Sequence, residues 1–131
     1  MSDYDVVVVG AGNAAFCSAL AAAVDKGAKV AVLERAPEDD FGGNSRYTAG
    51  AIRFAHNGLQ DLEAVIDINP EERETTDFGV YTADDFYDDM YRVTNYRCDA
   101  DLVEVLVTES LPTLKWMKEK AEQEAAAGGN K

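Results

Sequence analysis

Four consecutive valines, Val6–Val9, run directly into Gly10-Ala11-Gly12 and then into an alanine-rich stretch. No other feature restricts the fold of this chain as strongly. A short unbroken β-branched run is the pattern of a strand buried on both faces of a parallel sheet. Asn13 to Lys26 reads as a helix stopped by Gly27. Lys29 to Glu34, "KVAVLE", repeats the strand pattern and is ended by "RAPEDD" with Pro37. Strand, helix and strand in this order predict a right-handed βαβ unit.

The turn between strand and helix carries chemistry. "GAGNAA" places Gly10, Gly12 and Ala15 in the GxGxxG/A spacing. The first glycine permits the tight turn and the second lets the backbone approach a pyrophosphate. The third position needs only a small residue, which alanine is. N–H groups near Asn13 and Ala14 then face the phosphates, with the positive end of the helix dipole behind them. Glu34 ends the second strand, where a carboxylate accepts hydrogen bonds from ribose hydroxyls and disfavours a 2′-phosphate, hence NADP. A plain glycine turn with an unrelated surface glutamate is the alternative. The order strand, glycines, helix, strand, acid weighs against it.

With 131 residues the chain is expected to form one domain. The net charge of −13 is uneven: residues 1–60 hold seven acids and five bases, residues 61–131 eighteen acids and seven bases. Such a surface argues against nucleic-acid and membrane-surface partners. Cys17 and Cys98 are the two cysteines, too few for a disulfide framework, and "MSDYD" lacks the positive charge of a secretory signal. A soluble, cytoplasmic protein without a membrane span is expected.

Arg35 to Phe54 shows little periodicity but holds Gly42, Gly43 and Gly50 among small polar residues, the composition of a functional loop. "NGLQDLEAVIDI" predicts a short helix, and Asn69 to Gly79 a polar, exposed connection. Thr82 reads as the N-cap of a helix whose apolar stripe is Phe86, Met90 and Val93. A second helix is expected from about Asp99 with Leu102, Val103, Leu106 and Val107 on one side. Pro112 forces a kink or restart with Ser110 as the new cap. The chain from Glu119 on favours helix until Gly128 and Gly129, where fraying is expected. The expected segments are 1–60, a nucleotide-binding βαβ unit with its loop; 61–118, an acidic helical segment; and 119–131, a frayed tail. The fold class is α/β: a Rossmann-like βαβ unit followed by a mostly helical segment, with an incomplete doubly wound sheet.

"ERAPEDDFGGNSRYTAGA", Glu34 to Ala51, resembles the stretch after the second strand in flavoproteins of the fumarate reductase and succinate dehydrogenase superfamily, where a GGN[ST] turn and an AG pair wrap the flavin. "GGNSRYTAGAIRFAHNGLQDL" together with "TDFGVYTADDFYDDMYRVTNYRCDADLVEVLVTESLPTLKWM" is similar to the FAD-dependent tricarballylate dehydrogenases. The resemblance implies FAD as cofactor and hydride transfer from a CH–CH bond of a polycarboxylate substrate. It implies Glu34 on the adenosine ribose with Arg35 beside it. Gly43 would belong to the cofactor-binding set, Asn44 and Ser45 would face the pyrophosphate and ribityl region, and Thr48, Ala49 and Gly50 would pass near the flavin ring. It implies, too, that the substrate-binding and proton-delivering residues lie downstream of Lys131, in a missing C-terminal part or a partner chain. After Met117 the chain departs from the family pattern.

The remaining reactive residues carry plainer readings. His56, the single histidine, reads as a polar loop residue rather than a flavin attachment point. Arg46 and Arg53 suit a carboxylate or the flavin phosphates, with ordinary surface charge an equal reading for Arg53. The aspartate pairs 84/85 and 88/89 read as a solvated helix face, and no metal is expected. Leu114, Trp116 and Met117 read as core or interface. Two other functions stay open: a truncated, non-catalytic nucleotide-binding module, and an NAD-binding domain.

Overall fold

The computed structural model describes residues 3–126, which divide into two compact units, one ending at Ile52 and the other starting at Arg53. The first holds the expected strand, helix and strand: β1 (Val6–Val9), α1 (Asn13–Leu20) and β2 (Val30–Leu33). The strands pair in parallel, Val6 opposite Val30 through Val9 opposite Leu33, and α1 packs on both. The chain is therefore of mixed helix-and-strand class with a small two-stranded parallel sheet. Both ends of the ladder are tied. The Asp5 N–H donates to the Lys29 carbonyl at 2.8 Å, the Lys29 N–H to the Asp5 carboxylate at 2.9 Å, and the Gly10 N–H to the Leu33 carbonyl at 2.6 Å.

Two expectations for this unit are corrected. The helix from Asn13 to Lys26 is α-helical only to Leu20, then widens into a π turn over Ala21–Asp25 before Gly27, at φ +64°, ends it. The valine run is not buried on both faces. Val6 and Val8 are half-buried, whereas Val7 is 54% and Val9 83% exposed, and Leu33 in β2 is 54% exposed. One helix on two strands covers a single face. After β2 come two short 3₁₀ turns, Glu38–Asp40 and Gly43–Tyr47.

The second unit is helical: α2 (Leu59–Glu63), α3 (Pro70–Thr75), α4 (Ala83–Val93), α5 (Ala100–Thr108) and α6 (Ser110–Ala126). The stretch from Asn69 to Gly79, expected as a polar connection, contains α3. Asn69 accepts the Glu72 N–H at 2.9 Å while Glu72 accepts the Asn69 N–H at 3.1 Å, a capping box with Pro70 at the first helical position. Thr82 caps α4 as expected, again reciprocally, with Asp85. Asp99 caps α5 by accepting the Leu102 N–H at 3.1 Å.

The core of this unit is Phe86, Val103 and Val107, with Ala55, Tyr81, Tyr87, Met90 and Cys98 packed against it. The apolar stripes are narrower than the spacing predicts. Val93 is 62%, Leu102 69% and Leu106 45% exposed. In α4 the packing turns are those of Phe86, Tyr87 and Met90, and in α5 only the i, i+4 pair Val103 and Val107 faces the neighbouring helix; residues 102 and 106 are rotated away from that line. The chain restarts at Ser110, with Pro112 in the first turn, where its missing N–H costs no helical bond. The Ser110 hydroxyl is not a cap: it accepts the Ala55 N–H at 3.1 Å and donates to the Val107 carbonyl at 2.8 Å. Leu114, Trp116 and Met117 are half-buried. The expected fraying at Gly128 and Gly129 lies outside the described residues.

Candidate functional site

The glycine turn is locked from three sides. Gly10 has φ +108°, a conformation that side-chain-bearing residues avoid. Ala11, 6% exposed, is buried beneath the turn. Just past β2, Glu34 reaches back over it. One carboxylate oxygen, Oε2, accepts the Ala11 N–H at 2.8 Å, and the other, Oε1, accepts the N–H groups of Arg35 at 2.7 Å and Ala36 at 2.9 Å. These bonds, that from Ala36 first and that from Ala11 next, hold the Glu34 carboxyl below the usual glutamate range. It is ionised at neutral pH. Three of its roughly four lone-pair positions are used, which leaves about one for a ligand hydroxyl.

On the other side the Gly43–Tyr47 turn meets the start of α1. The Ser45 Oγ accepts the Asn13 N–H at 2.9 Å. Of the two N–H groups expected to face phosphate, that of Asn13 is thus taken by the protein. Those of Ala14 and Ala15, in the first turn of α1, have no acceptor among the described residues. Gly12 has ordinary φ, and a Cβ there would stand 3.5 Å from both the Gly42 carbonyl and the Ser45 hydroxyl. That is normal contact distance, so nothing within the protein demands glycine at this position.

The Ser45 carbonyl accepts from the Thr48 hydroxyl at 3.1 Å, and the Thr48 hydroxyl accepts the Gly50 N–H at 3.2 Å. Ala49 between them sits at φ +52°. Thr48, Ala49 and Gly50 therefore form one tight exposed turn. A cleft of about 620 Å³ opens beside the glycine turn, lined by Ala11, Asn13, Phe16, Glu38, Asp39, Phe41, Gly42, Ser45 and Arg46. The structure brings Gly10, Gly12, Asn13, Ala14, Glu34 and Ser45 around one turn. Arg35, Gly43, Asn44, Thr48, Ala49 and Gly50 lie exposed along the connecting loop, outside the cleft wall. Arg46 donates to the Asp39 carbonyl, bracing that loop. Sequence reasoning passed over Phe16 and Phe41. Phe16 lies three residues after Asn13 on the same face of α1, a spacing that points to it.

Other candidates have structural partners within the second unit. Arg53 donates to the Tyr81 hydroxyl at 2.8 Å and to Asp89, and its guanidinium lies 5.2 Å from the Tyr81 ring centroid. It is a paired charge on the surface, with its side chain still 59% exposed. Asp89 also accepts from the Tyr81 hydroxyl at 2.9 Å and from Arg92 at 2.6 Å. The Arg92 bond first, then that from Tyr81, depress its carboxyl to about 2. Asp85 binds Thr82 at the head of α4. Asp84, Asp85 and Asp88 are exposed, as a solvated helix face requires, whereas Asp89 is half-buried. His56 forms a backbone bridge with Tyr81 and accepts the Gly58 N–H at Nδ1, 3.3 Å away. Among the described residues no group of three or more His, Cys, Asp or Glu is placed to hold a metal. No described helix is long and apolar enough to cross a membrane.

Residues 5–129 match the family described as FAD binding domain. The chain belongs to this family. FAD is the cofactor of the domain, and the residues around the glycine turn fit it: an ionised acid at the end of β2, free N–H groups opening α1, and a cleft beside them. The domain is 35% identical over 113 residues, 86% of its length, to a protein named fumarate reductase (cytochrome) from Shewanella frigidimarina, and likewise to that of strain NCIMB 400. Its kinship is thus with flavoprotein oxidoreductases. The aligned part spans 17% and 16% of those two relatives' own lengths. No solved structure matches it.

Proposed function

We propose that this domain anchors FAD for a dehydrogenase or reductase acting on a CH–CH bond of a polycarboxylate, with tricarballylate as the model substrate. The observation that carries the reading is the Glu34 carboxylate, held ionised by the Ala36, Ala11 and Arg35 N–H groups beside the glycine turn, with a lone pair to spare.

Each residue has a defined task. Glu34 accepts from an adenosine ribose hydroxyl, with Arg35 beside it. The Ala14 N–H and the α1 dipole meet the pyrophosphate, which Gly10 and Gly12 admit to the backbone. Gly43, Asn44 and Ser45 serve the pyrophosphate and ribityl region. Thr48, Ala49 and Gly50 run along the flavin ring, small enough to leave one face open to substrate. Bound FAD supplies a two-electron acceptor that takes hydride from the substrate carbon. The groups that bind the carboxylates and move the proton belong to a further part of the enzyme, in the same chain or a partner. The exposed face of the β1–β2 sheet is where that part adds its layer, and the two unpaired cysteines suit a cytoplasmic setting.

The test is a titration of the purified chain with FAD, read by quenching of flavin fluorescence and by perturbation of the visible flavin band. Saturable binding supports the cofactor role of these residues; unchanged spectra at high protein concentration oppose binding by the chain alone. Dye reduction with tricarballylate, measured on an enzyme containing this domain together with its remainder, tests the substrate.

A further inference from the structure

The glycine turn has two protein acceptors that grip alternate N–H groups from opposite sides. Glu34, at the end of β2, takes the Ala11 N–H at 2.8 Å. Ser45, in the Gly43–Tyr47 turn, takes the Asn13 N–H at 2.9 Å. Neither acceptor is near in sequence: 23 and 32 residues separate the partners. We propose that Glu34 and Ser45 are positioning residues as well as cofactor contacts: together they clamp residues 11 and 13, and so aim the free N–H groups of Ala14 and Ala15 at the pyrophosphate. This inference rests on the reading of the turn as the FAD pyrophosphate site.

The chemistry of the two groups supports the division of labour. An N–H has one proton to give, and that of Asn13 is spent on Ser45. The Ser45 hydroxyl, having accepted that N–H, still has its own proton to donate, and Ser45 lines the cleft. The Glu34 carboxylate binds three N–H groups from both ends of a long connection, so it fixes the turn against β2 whatever it does for ribose. A frame held at 11 and 13 leaves little slack at 14 and 15. Pre-set donors bind an anion without an ordering cost.

The experiment compares the full chain with Ser45→Ala, Ser45→Thr and Glu34→Gln. Amide hydrogen exchange is followed at Ala11 and Asn13 without ligand, then affinity is measured for FAD, ADP and 2′-deoxy-ADP. Ser45→Ala is expected to speed exchange at Asn13 and weaken FAD binding about three- to tenfold, the scale of one lost hydrogen bond. Ser45→Thr, which keeps the hydroxyl, restores both. Glu34→Gln is expected to speed exchange at Ala11 and to weaken both ADP and 2′-deoxy-ADP about three- to tenfold, with a further loss for ADP alone, which also gives up its ribose contact. Unchanged exchange at both amides overturns the clamp, as does a Glu34→Gln loss confined to the ligand with a 2′-hydroxyl. Exchange is read without ligand, so it decides the clamp even where the chain alone takes up no FAD, an outcome that would count against autonomous binding instead.

Discussion

Gly10 and Gly12 look alike in the sequence and differ in what requires them. Gly10, at φ +108°, is required by the backbone; Gly10→Ala should cost about 1–3 kcal/mol of stability, measured by denaturant unfolding. Gly12 has room for a methyl group. Gly12→Ala should leave stability within about 0.5 kcal/mol while weakening FAD on the order of tenfold, because the added methyl would stand where the pyrophosphate is proposed to approach. Equal stability losses for the two variants would show that packing requires both. Asp89 offers a pH test. Its carboxyl is depressed from the ordinary 3.8 to about 2, so its bonds to Arg92, Tyr81 and Arg53 stabilise the fold fully above that ordinary value and fade as pH falls toward 2. The Tm deficit of Asp89→Asn at neutral pH should therefore close as the melts are repeated down to about pH 2. Glu34 and the glycines were legible because their spacing encodes a local turn. The Arg53–Asp89 contact, which spans 36 residues, follows from tertiary packing that no local pattern carries.

Helix ends illustrate how much of an element is written in a few residues. Thr82 and Asp85 cap α4 reciprocally, and Thr82→Ala should lower stability by about 0.5–2 kcal/mol in urea unfolding, with Thr82→Ser close to the parent. Asn69, Pro70 and Glu72 carry the same kind of signal for α3, an Asn followed three residues later by Glu. It was outweighed by the surrounding polarity, which reads as loop. Element type for β1, α1, β2, α4 and α5 followed from periodicity and caps. The width of the apolar stripes did not, because exposure at Leu102 and Leu106 depends on which helices arrive beside them. The π turn at Ala21–Asp25 has no sequence marker that we recognise.

For the whole molecule, composition and charge set the class of partner, while the small sheet sets what the chain needs. Val7, Val9 and Leu33 present apolar surface on a parallel pair. The isolated chain is expected to self-associate with rising concentration in light scattering, and Val9→Lys to reduce this with little loss of stability. If a further layer covers this sheet face, as proposed, the same substitution in the larger enzyme should be strongly destabilising.

The pairing of Val6 with Val30 also has a meaning in time. Parallel strands gain nothing until the crossover between them has closed, whereas caps such as Thr82–Asp85 reward contacts three residues apart. In refolding, the helical half would lead and the glycine turn would be among the last places to form. A nascent chain would therefore be longest without protection at the surface proposed to receive its FAD.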